Sequence, residues 1–145
     1  MEVHASDISS QALVIAKENA DRLGARIDFY AGDMLNPFIN SDKKYDILVS
    51  NPPYISETDY VDTLVKNNEP NISLYGGKSG IKFYEQILKD AEKVLKPKSI
   101  IAFEHGFNQL EAITALVRKY LPDARVENIK DINGKDRIII IYVLR

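Results

Sequence analysis

The sequence predicts an α/β fold, a mostly parallel sheet with helices between its strands and a C-terminal antiparallel hairpin. Three observations predict it. Short apolar runs alternate with stretches of helical spacing along most of the chain. The run Asp46-Ile47-Leu48-Val49-Ser50 leads straight into Asn51-Pro52-Pro53-Tyr54, a strand stopped by two residues that lack an N–H and hold φ fixed. Two further strand-like runs, Ala124 to Ile129 and Arg137 to Leu144, flank Asn133-Gly134, a strong hairpin signal. The predicted order is βαβ, β, α, β, α and then the hairpin. All of it falls in a single domain of 145 residues, long enough to bury a core.

Val3-His4-Ala5-Ser6 reads as a short strand ending at Asp7. Ser9 or Ser10 can cap the helix that follows. Ala12, Leu13, Ile15, Ala16, Ala20 and Leu23 give that helix an apolar face, and Gly24 ends it. Ile27 to Tyr30 is the second strand, stopped near Gly32-Asp33, and Asn36-Pro37 and Asn40-Ser41-Asp42 read as loop. The run into Asn51 reads as a buried third strand, being short and nearly continuous in its apolar content. Residues 55 to 78 are polar and glycine-rich, a loop of a length that is usually functional or mobile. Gly80 to Leu95 is an amphipathic helix with Ile81, Tyr84, Ile87, Leu88, Ala91, Val94 and Leu95 on one face, closed by Pro97. Ser99 to Glu104 is a strand, and Asn108 can cap a helix to Tyr120 with Leu110, Ile113, Leu116 and Val117 inward.

The end of the third strand carries the chemistry. Open α/β sheets bind ligands outside the carboxyl ends of their strands. Pro52 pushes Asn51 out of the helical region. Asn51 offers an amide oxygen and an NH2, Pro52 a carbonyl, and Tyr54 a flat ring. Together these can grip a planar –NH2 group, with two acceptors for its hydrogens and a surface to stack on. Such a nitrogen is a poor nucleophile because its lone pair is conjugated, as in a peptide bond. Two acceptors held out of its plane favour a pyramidal nitrogen and free the lone pair. A plain strand-ending turn with a surface Asn is the competing reading, and Asn before and Tyr after the prolines favour the functional one.

Asn51-Pro52-Pro53-Tyr54 resembles the substrate motif of amino-group methyltransferases that use S-adenosylmethionine. Glu69-Pro70, Leu74, Gly76-Gly77, Gly80 and Tyr84 resemble the Glu-Pro…Leu-x-Gly-Gly-x-x-Gly…Tyr segment of the HemK-type protein-glutamine N5-methyltransferases. Glu104, Gly106 and Gln109 fit that family's Glu-x-Gly-x-x-Gln, and Asp131, Gly134, Asp136 and Arg137 its Asp-x-x-Gly-x-Asp-Arg. The first motif is shared with DNA and RNA enzymes; the downstream set carries the family. The resemblance covers nearly the whole chain. It implies a Rossmann-like methyltransferase fold, S-adenosylmethionine as cofactor, and as substrate the glutamine of the Gly-Gly-Gln loop in a peptide-chain release factor. It also implies that Asn51, Pro52, Pro53 and Tyr54 bind the substrate amide, with Asn51, Pro52 and Tyr54 catalytic and Asn51 touching the cofactor as well. Asp7, at a strand end, can accept from ribose hydroxyls or cap a helix; the resemblance favours ribose. Asp33 can accept from the adenine amino group with Met34 against the ring, or be a turn Asp beside a loop Met.

Bulk properties narrow the alternatives. Formal charge is −2, with 19 Lys and Arg against 21 Asp and Glu, whereas a phosphate-tracking surface should be basic. Lys43-Lys44 and Lys96-Pro97-Lys98 are small basic exceptions, explained as solvated turns. Cysteine is absent, so there is no disulfide, thiolate metal site or Cys nucleophile. Two histidines far apart in sequence are not a ligand set, and no metal is expected. His4 reads as packing within a strand and His105 as structural. The acidic stretch Tyr54 to Tyr60 has no required role as a base, because methyl transfer from a sulfonium needs positioning and desolvation. No apolar run can span a bilayer, and the first residues have neither a basic region nor an apolar core. A cytoplasmic protein is expected.

One departure from the family stands out. Nothing in the sequence supplies the glycine-rich Asp/Glu-x-Gly-x-Gly loop that cradles the methionine end of the cofactor, or the family's helical N-terminal domain. In the family that loop follows a central strand, which lies between the strand ending at Asp7 and the strand ending at Asn51. The strand comes from upstream, from a partner, or is replaced by re-pairing. Three functional readings follow: a release-factor glutamine methyltransferase; a nucleic-acid exocyclic-amine methyltransferase, gripping an extruded base in the same way; and a catalytically incompetent portion of the enzyme that self-associates through open sheet edges.

Overall fold

The computed structural model describes residues 1–59 and 70–144. Tyr60 and Glu69, singled out above, lie outside the described residues. The chain divides into two compact units, Met1–Lys43 and Lys44–Arg145.

The first unit contains β1 (His4–Asp7), α1 (Ser10–Leu23), β2 (Asp28–Ala31) and α2 (Asn36–Ile39). The two strands pair in parallel, with His4 opposite Asp28 and Asp7 opposite Ala31. Ser9 is the cap, its Oγ accepting from the Ala12 N–H at 3.2 Å. Gly24 stops the helix at φ 66°, a left-handed conformation that costs glycine nothing. The expected apolar face of α1 is covered only in part: Ala20 is buried and Ala12, Leu13 and Ala16 are half-buried, but Ile15 and Leu23 are exposed. A sheet of two short strands is too narrow to cover a helix of this length. Asn36-Pro37, expected as loop, opens α2; proline suits a first helical turn, where its missing N–H would be unpaired anyway.

The second unit contains β3 (Tyr45–Ser50), α3 (Asn71–Leu74), α4 (Lys82–Val94), β4 (Leu95–Glu104), α5 (Leu110–Tyr120), β5 (Arg125–Lys130) and β6 (Asp136–Leu144). Its sheet has the order β3-β4-β6-β5. β3 and β4 are parallel, and β6 is antiparallel to both β4 and β5, so β6 alone is reversed. Ile101, Phe103, Ile139, Ile141 and Val143 alternate along β4 and β6 and are buried, as are Tyr84, Ile87, Leu88, Ala91 and Val94 of α4 and Ile113 and Val117 of α5. The helical spacing of the apolar residues and the twofold spacing in the strands thus meet in one core. The Asn133-Gly134 hairpin is present, with Gly134 at φ 75°.

Three expectations need correction. β3 is not buried: Ile47 is 57% and Val49 76% exposed, so the face that carries them stays open, and β3 also stands at the edge of this sheet. Pro97 does not close the preceding helix. α4 ends at Val94, the backbone of Leu95 being already extended, and β4 runs through Pro97. There the register with β3 jumps from Tyr45↔Leu95 to Ile47↔Ile100, an irregularity that accommodates a residue with no N–H to give. Gln109, not Asn108, precedes α5, and its side chain caps nothing there. Among the described residues no helix is long and apolar enough to cross a membrane.

Candidate functional site

In the second unit the site is built at the carboxyl end of β3. Ser50 still pairs with Phe103 of β4, and Asn51 follows with its residue exposed while Pro52 is buried and Pro53 and Tyr54 are half-buried. Beyond Tyr54 the chain is captured again: the Ile55 N–H donates to the Leu74 carbonyl at 3.0 Å and the Gly76 N–H to the Ile55 carbonyl at 2.9 Å. The glycines of the Gly76-Gly77-x-x-Gly80 segment make room for this. A Cβ on Gly76 would stand 2.5 Å from the Pro53 carbonyl oxygen, and one on Gly80 would stand 2.3 Å from that of Tyr54.

Around this segment lie the residues of the downstream motifs. The Gln109 Nε2 donates to the Tyr54 carbonyl at 2.8 Å. The Tyr54 ring lies close over Gly106, 3.5 Å from where a Cβ would be. The Tyr84 hydroxyl donates to the Glu104 carbonyl at 2.7 Å. Burial pushes that phenol well above the ordinary tyrosine range, and Tyr54 and Glu104 add to the shift. His105 is fully buried. Its Nδ1 lies 2.8 Å from the Gly106 carbonyl, an acceptor, so Nδ1 is the donor there, while Nε2 has no hydrogen-bond partner among the described residues. This fits the structural role expected of it. Asp131, Gly134, Asp136 and Arg137 hold the hairpin. Asp131 Oδ1 accepts from the Asn133 and Lys135 N–H groups at 2.8 and 3.0 Å, and Arg137 donates to the His105 carbonyl at 3.3 Å. What Gln109 and the glycines do here is not legible from the sequence; the signals available were the glycine spacing, which marks close backbone approach, and the place of Gln109 in the Glu-x-Gly-x-x-Gln motif.

In the first unit Asp7 closes β1 and Asp33 follows the neighbouring parallel β2, and the Gly32 N–H donates to the Asp7 carbonyl at 3.0 Å. Asp7 is exposed, and its Oδ1 accepts from the Ser9 N–H at 2.7 Å, so one oxygen serves the helix start and the carboxylate still faces outward. Met34 has φ 45°, a costly conformation for a residue with a Cβ. Its carbonyl accepts from the Ser6 hydroxyl at 2.8 Å, which pins the Asp33-Met34 turn to β1. The exposed Asp7 carboxylate and the half-buried Asp33 and Met34 thus lie at the ends of neighbouring strands. His4, expected as packing, has a nearly covered ring beside Tyr30 and Phe38. The fold also brings it to Glu2 and Asp28, at 2.9 and 3.5 Å, a grouping hidden by the distance in sequence. The Lys43 ammonium is bonded to Glu2 and stands 3.3 Å from the His4 Nε2, so a cation already occupies this cluster. The cleft lined by Glu92, Leu121, Pro122, Asp123 and Val143 shares no residue with either site.

A family model described as "Methyltransferase domain" matches residues 1–136. The chain belongs to this methyltransferase domain family. Among curated relatives, release factor glutamine methyltransferase of Bacillus subtilis (strain 168) is 48% identical over 139 residues, 94% of this chain and 48% of the relative. The chain spans about half the length of the curated relatives it matches. Among solved structures, a methyltransferase from Pyrococcus furiosus has a TM-score of 0.74 at 19% identity, over 99% of this chain and 64% of its own. The protein-(glutamine-N5) methyltransferase (release factor-specific) of Alicyclobacillus acidocaldarius has a TM-score of 0.55 at 22% identity, over 100% of this chain and 81% of its own. The methyltransferase domain therefore has the Rossmann-like fold that the motifs implied. Within it, Asp7 and Glu104 close strands, and Asp33, Asn51 to Tyr54, Gly106 and Gln109 lie just beyond strand ends.

Proposed function

We propose that residues 1–145 carry the substrate-gripping part of an S-adenosylmethionine-dependent enzyme that methylates a glutamine side-chain nitrogen in the Gly-Gly-Gln loop of a peptide-chain release factor. The observation that carries the reading is the end of β3: Asn51 is exposed while the next residue, Pro52, is buried. An amide is thereby presented to a ligand on a backbone that cannot yield. Asn51 and Pro52 accept the two hydrogens of the substrate amide, Tyr54 stacks against its plane, and Pro53 stiffens the span. Asp7 takes the ribose, Asp33 the adenine amino group, Met34 the ring, and Asn51 also meets the methionine end of the cofactor. When bound, S-adenosylmethionine supplies the methyl group from its sulfonium. The chain's own work is to orient the amide and keep water from it. The product nitrogen returns its proton to solvent.

The test is a chimera in which residues 1–145 replace the matching half of the Bacillus subtilis relative. Incubated with a release factor and S-adenosylmethionine, it should add a single methyl group to the Gly-Gly-Gln glutamine, located by mass spectrometry. Methylation of adenine or guanine amino groups instead would favour the nucleic-acid reading, against which the surplus of acidic residues stands.

The open face of β3 favours a further reading for the isolated chain. With Ile47 and Val49 exposed on an edge strand, residues 1–145 alone self-associate and hold the cofactor poorly, since no Asp/Glu-x-Gly-x-Gly loop lies within them. The single-domain organisation and cytoplasmic location belong to the same proposal.

A further inference from the structure

We infer that Gln109 is a positioning residue: its side-chain amide sets the shape of the Asn51–Tyr54 segment and so the geometry of the substrate grip. The inference rests on the function proposed above and adds a residue that never touches the substrate.

Gln109 is only 7% exposed, rare for a residue with a primary amide. Its hydrogen-bonding capacity is used in one sense only. Oε1 accepts from the Gly106 N–H at 3.0 Å, and Nε2 donates to the Tyr54 carbonyl at 2.8 Å and the Gly80 carbonyl at 3.3 Å. Turning the amide over would set an oxygen against two carbonyls and an NH2 against an N–H, so its orientation is fixed by its partners. The Gly106 peptide is held as well, its carbonyl lying 2.8 Å from His105 Nδ1 and accepting from the Gln109 N–H at 3.0 Å.

The position of these bonds gives them their effect. Between Asn51 and Tyr54 the two prolines have fixed φ, so the span is stiff and its course is decided by its ends. One end is Ser50, paired with Phe103 of β4. The other is the Tyr54 carbonyl, tied through Gln109 to Gly106, two residues beyond the end of β4. Both ends therefore refer to one strand. Gly80, at φ 71°, lies so close that a Cβ would stand 2.5 Å from the Gln109 Nε2; the site has been cleared to admit the amide. An ångström of drift in a gripping group costs on the order of 100-fold in rate, which the clamp prevents.

Amide hydrogen exchange and NMR on residues 1–145 test this directly. Gln109→Met keeps the volume and removes all three bonds. Gln109→Glu keeps the acceptor for Gly106 but removes both donors. Ile113→Val, one turn along α5, is a control that lowers stability without touching the clamp. Both Gln109 variants should speed exchange at Ile55 and Gly76 about tenfold or more and shift the Asn51 and Tyr54 resonances; Ile113→Val should do neither at matched stability. In the chimera, Gln109→Glu should lower kcat by about 10- to 100-fold with KM for S-adenosylmethionine within about twofold. Unchanged exchange and resonances in Gln109→Glu would overturn the inference. A chimera with no glutamine methylation in its unsubstituted form counts against the proposed function, and the exchange measurements then decide Gln109 by themselves.

Discussion

Asn51 and Asp131 show how differently single residues serve this domain. Asn51 is exposed at a strand end, so truncating it removes no packing. In the chimera, Asn51→Ala should reduce glutamine methylation by about 100-fold or more and leave thermal stability within about 0.5 kcal/mol. Near-normal methylation by that variant would sink the role given to Asn51. Asp131 works on the hairpin. The Lys135 N–H, helped by the Asn133 N–H and Arg137, holds its carboxyl below the ordinary value of 3.8 in spite of an opposing desolvation. A depressed carboxylate contributes stability above its unfolded value and loses it as the pH falls through the folded one. Asp131→Ala should therefore melt at a lower temperature than the natural chain at neutral pH, with the gap narrowing below about pH 4. Melting curves across that range read the difference, and a gap independent of pH would refute it.

Elements that depend on local chemistry were legible from the sequence; those that depend on partners were not. The Ser9 cap, the Gly24 stop and the Asn133-Gly134 turn each follow from the conformations a few adjacent residues prefer, and all three are present. Burial of β3 was misread because a continuous apolar run does not say how many faces will find cover. On α1 the same limit shows at Ile15 and Leu23 alone, the rest of the apolar side being half-buried or buried. Pro97 reads as a stop because proline ends helices, yet an irregular pairing with an edge strand also admits it. Asn51-Pro52-Pro53-Tyr54 was legible as a motif, but its fastening by Gln109, 55 residues away, was not, since nothing local distinguishes a clamping Gln from a surface one. The strands of the core carry a sharper prediction. Ile139 is fully buried in β6, between β4 and β5, and Ile139→Ala should cost about 2–5 kcal/mol in urea unfolding of residues 1–145. A loss under about 1 kcal/mol would mean that this strand is not central to the core.

For the whole molecule, the open β3 face is the feature with consequences in solution. An edge strand with exposed apolar residues invites another strand. Residues 1–145 are therefore expected to self-associate in sedimentation experiments, and Val49→Lys should shift them toward monomer. A monomer at all concentrations would remove this reading. Titration calorimetry should find S-adenosylmethionine binding to these residues near the millimolar range or weaker, about −4 kcal/mol, and markedly tighter in the chimera. Micromolar binding by residues 1–145 alone would mean that Asp7, Asp33 and Asn51 suffice for the cofactor.

The buried Tyr84 phenol carries one more consequence, at the alkaline end of the scale. Its hydroxyl donates to the Glu104 carbonyl, and burial holds its proton well past the ordinary value of 10. Once unfolded, the same side chain ionises normally. Above that value the native state retains a proton that the unfolded chain sheds, and stability falls by roughly 1.4 kcal/mol for each further pH unit. Among the eight tyrosines of the chain, Tyr84 is then a built-in optical reporter. Its tyrosinate absorbance should emerge together with the loss of circular dichroism as base unfolds the core, not as a separate, reversible titration beforehand.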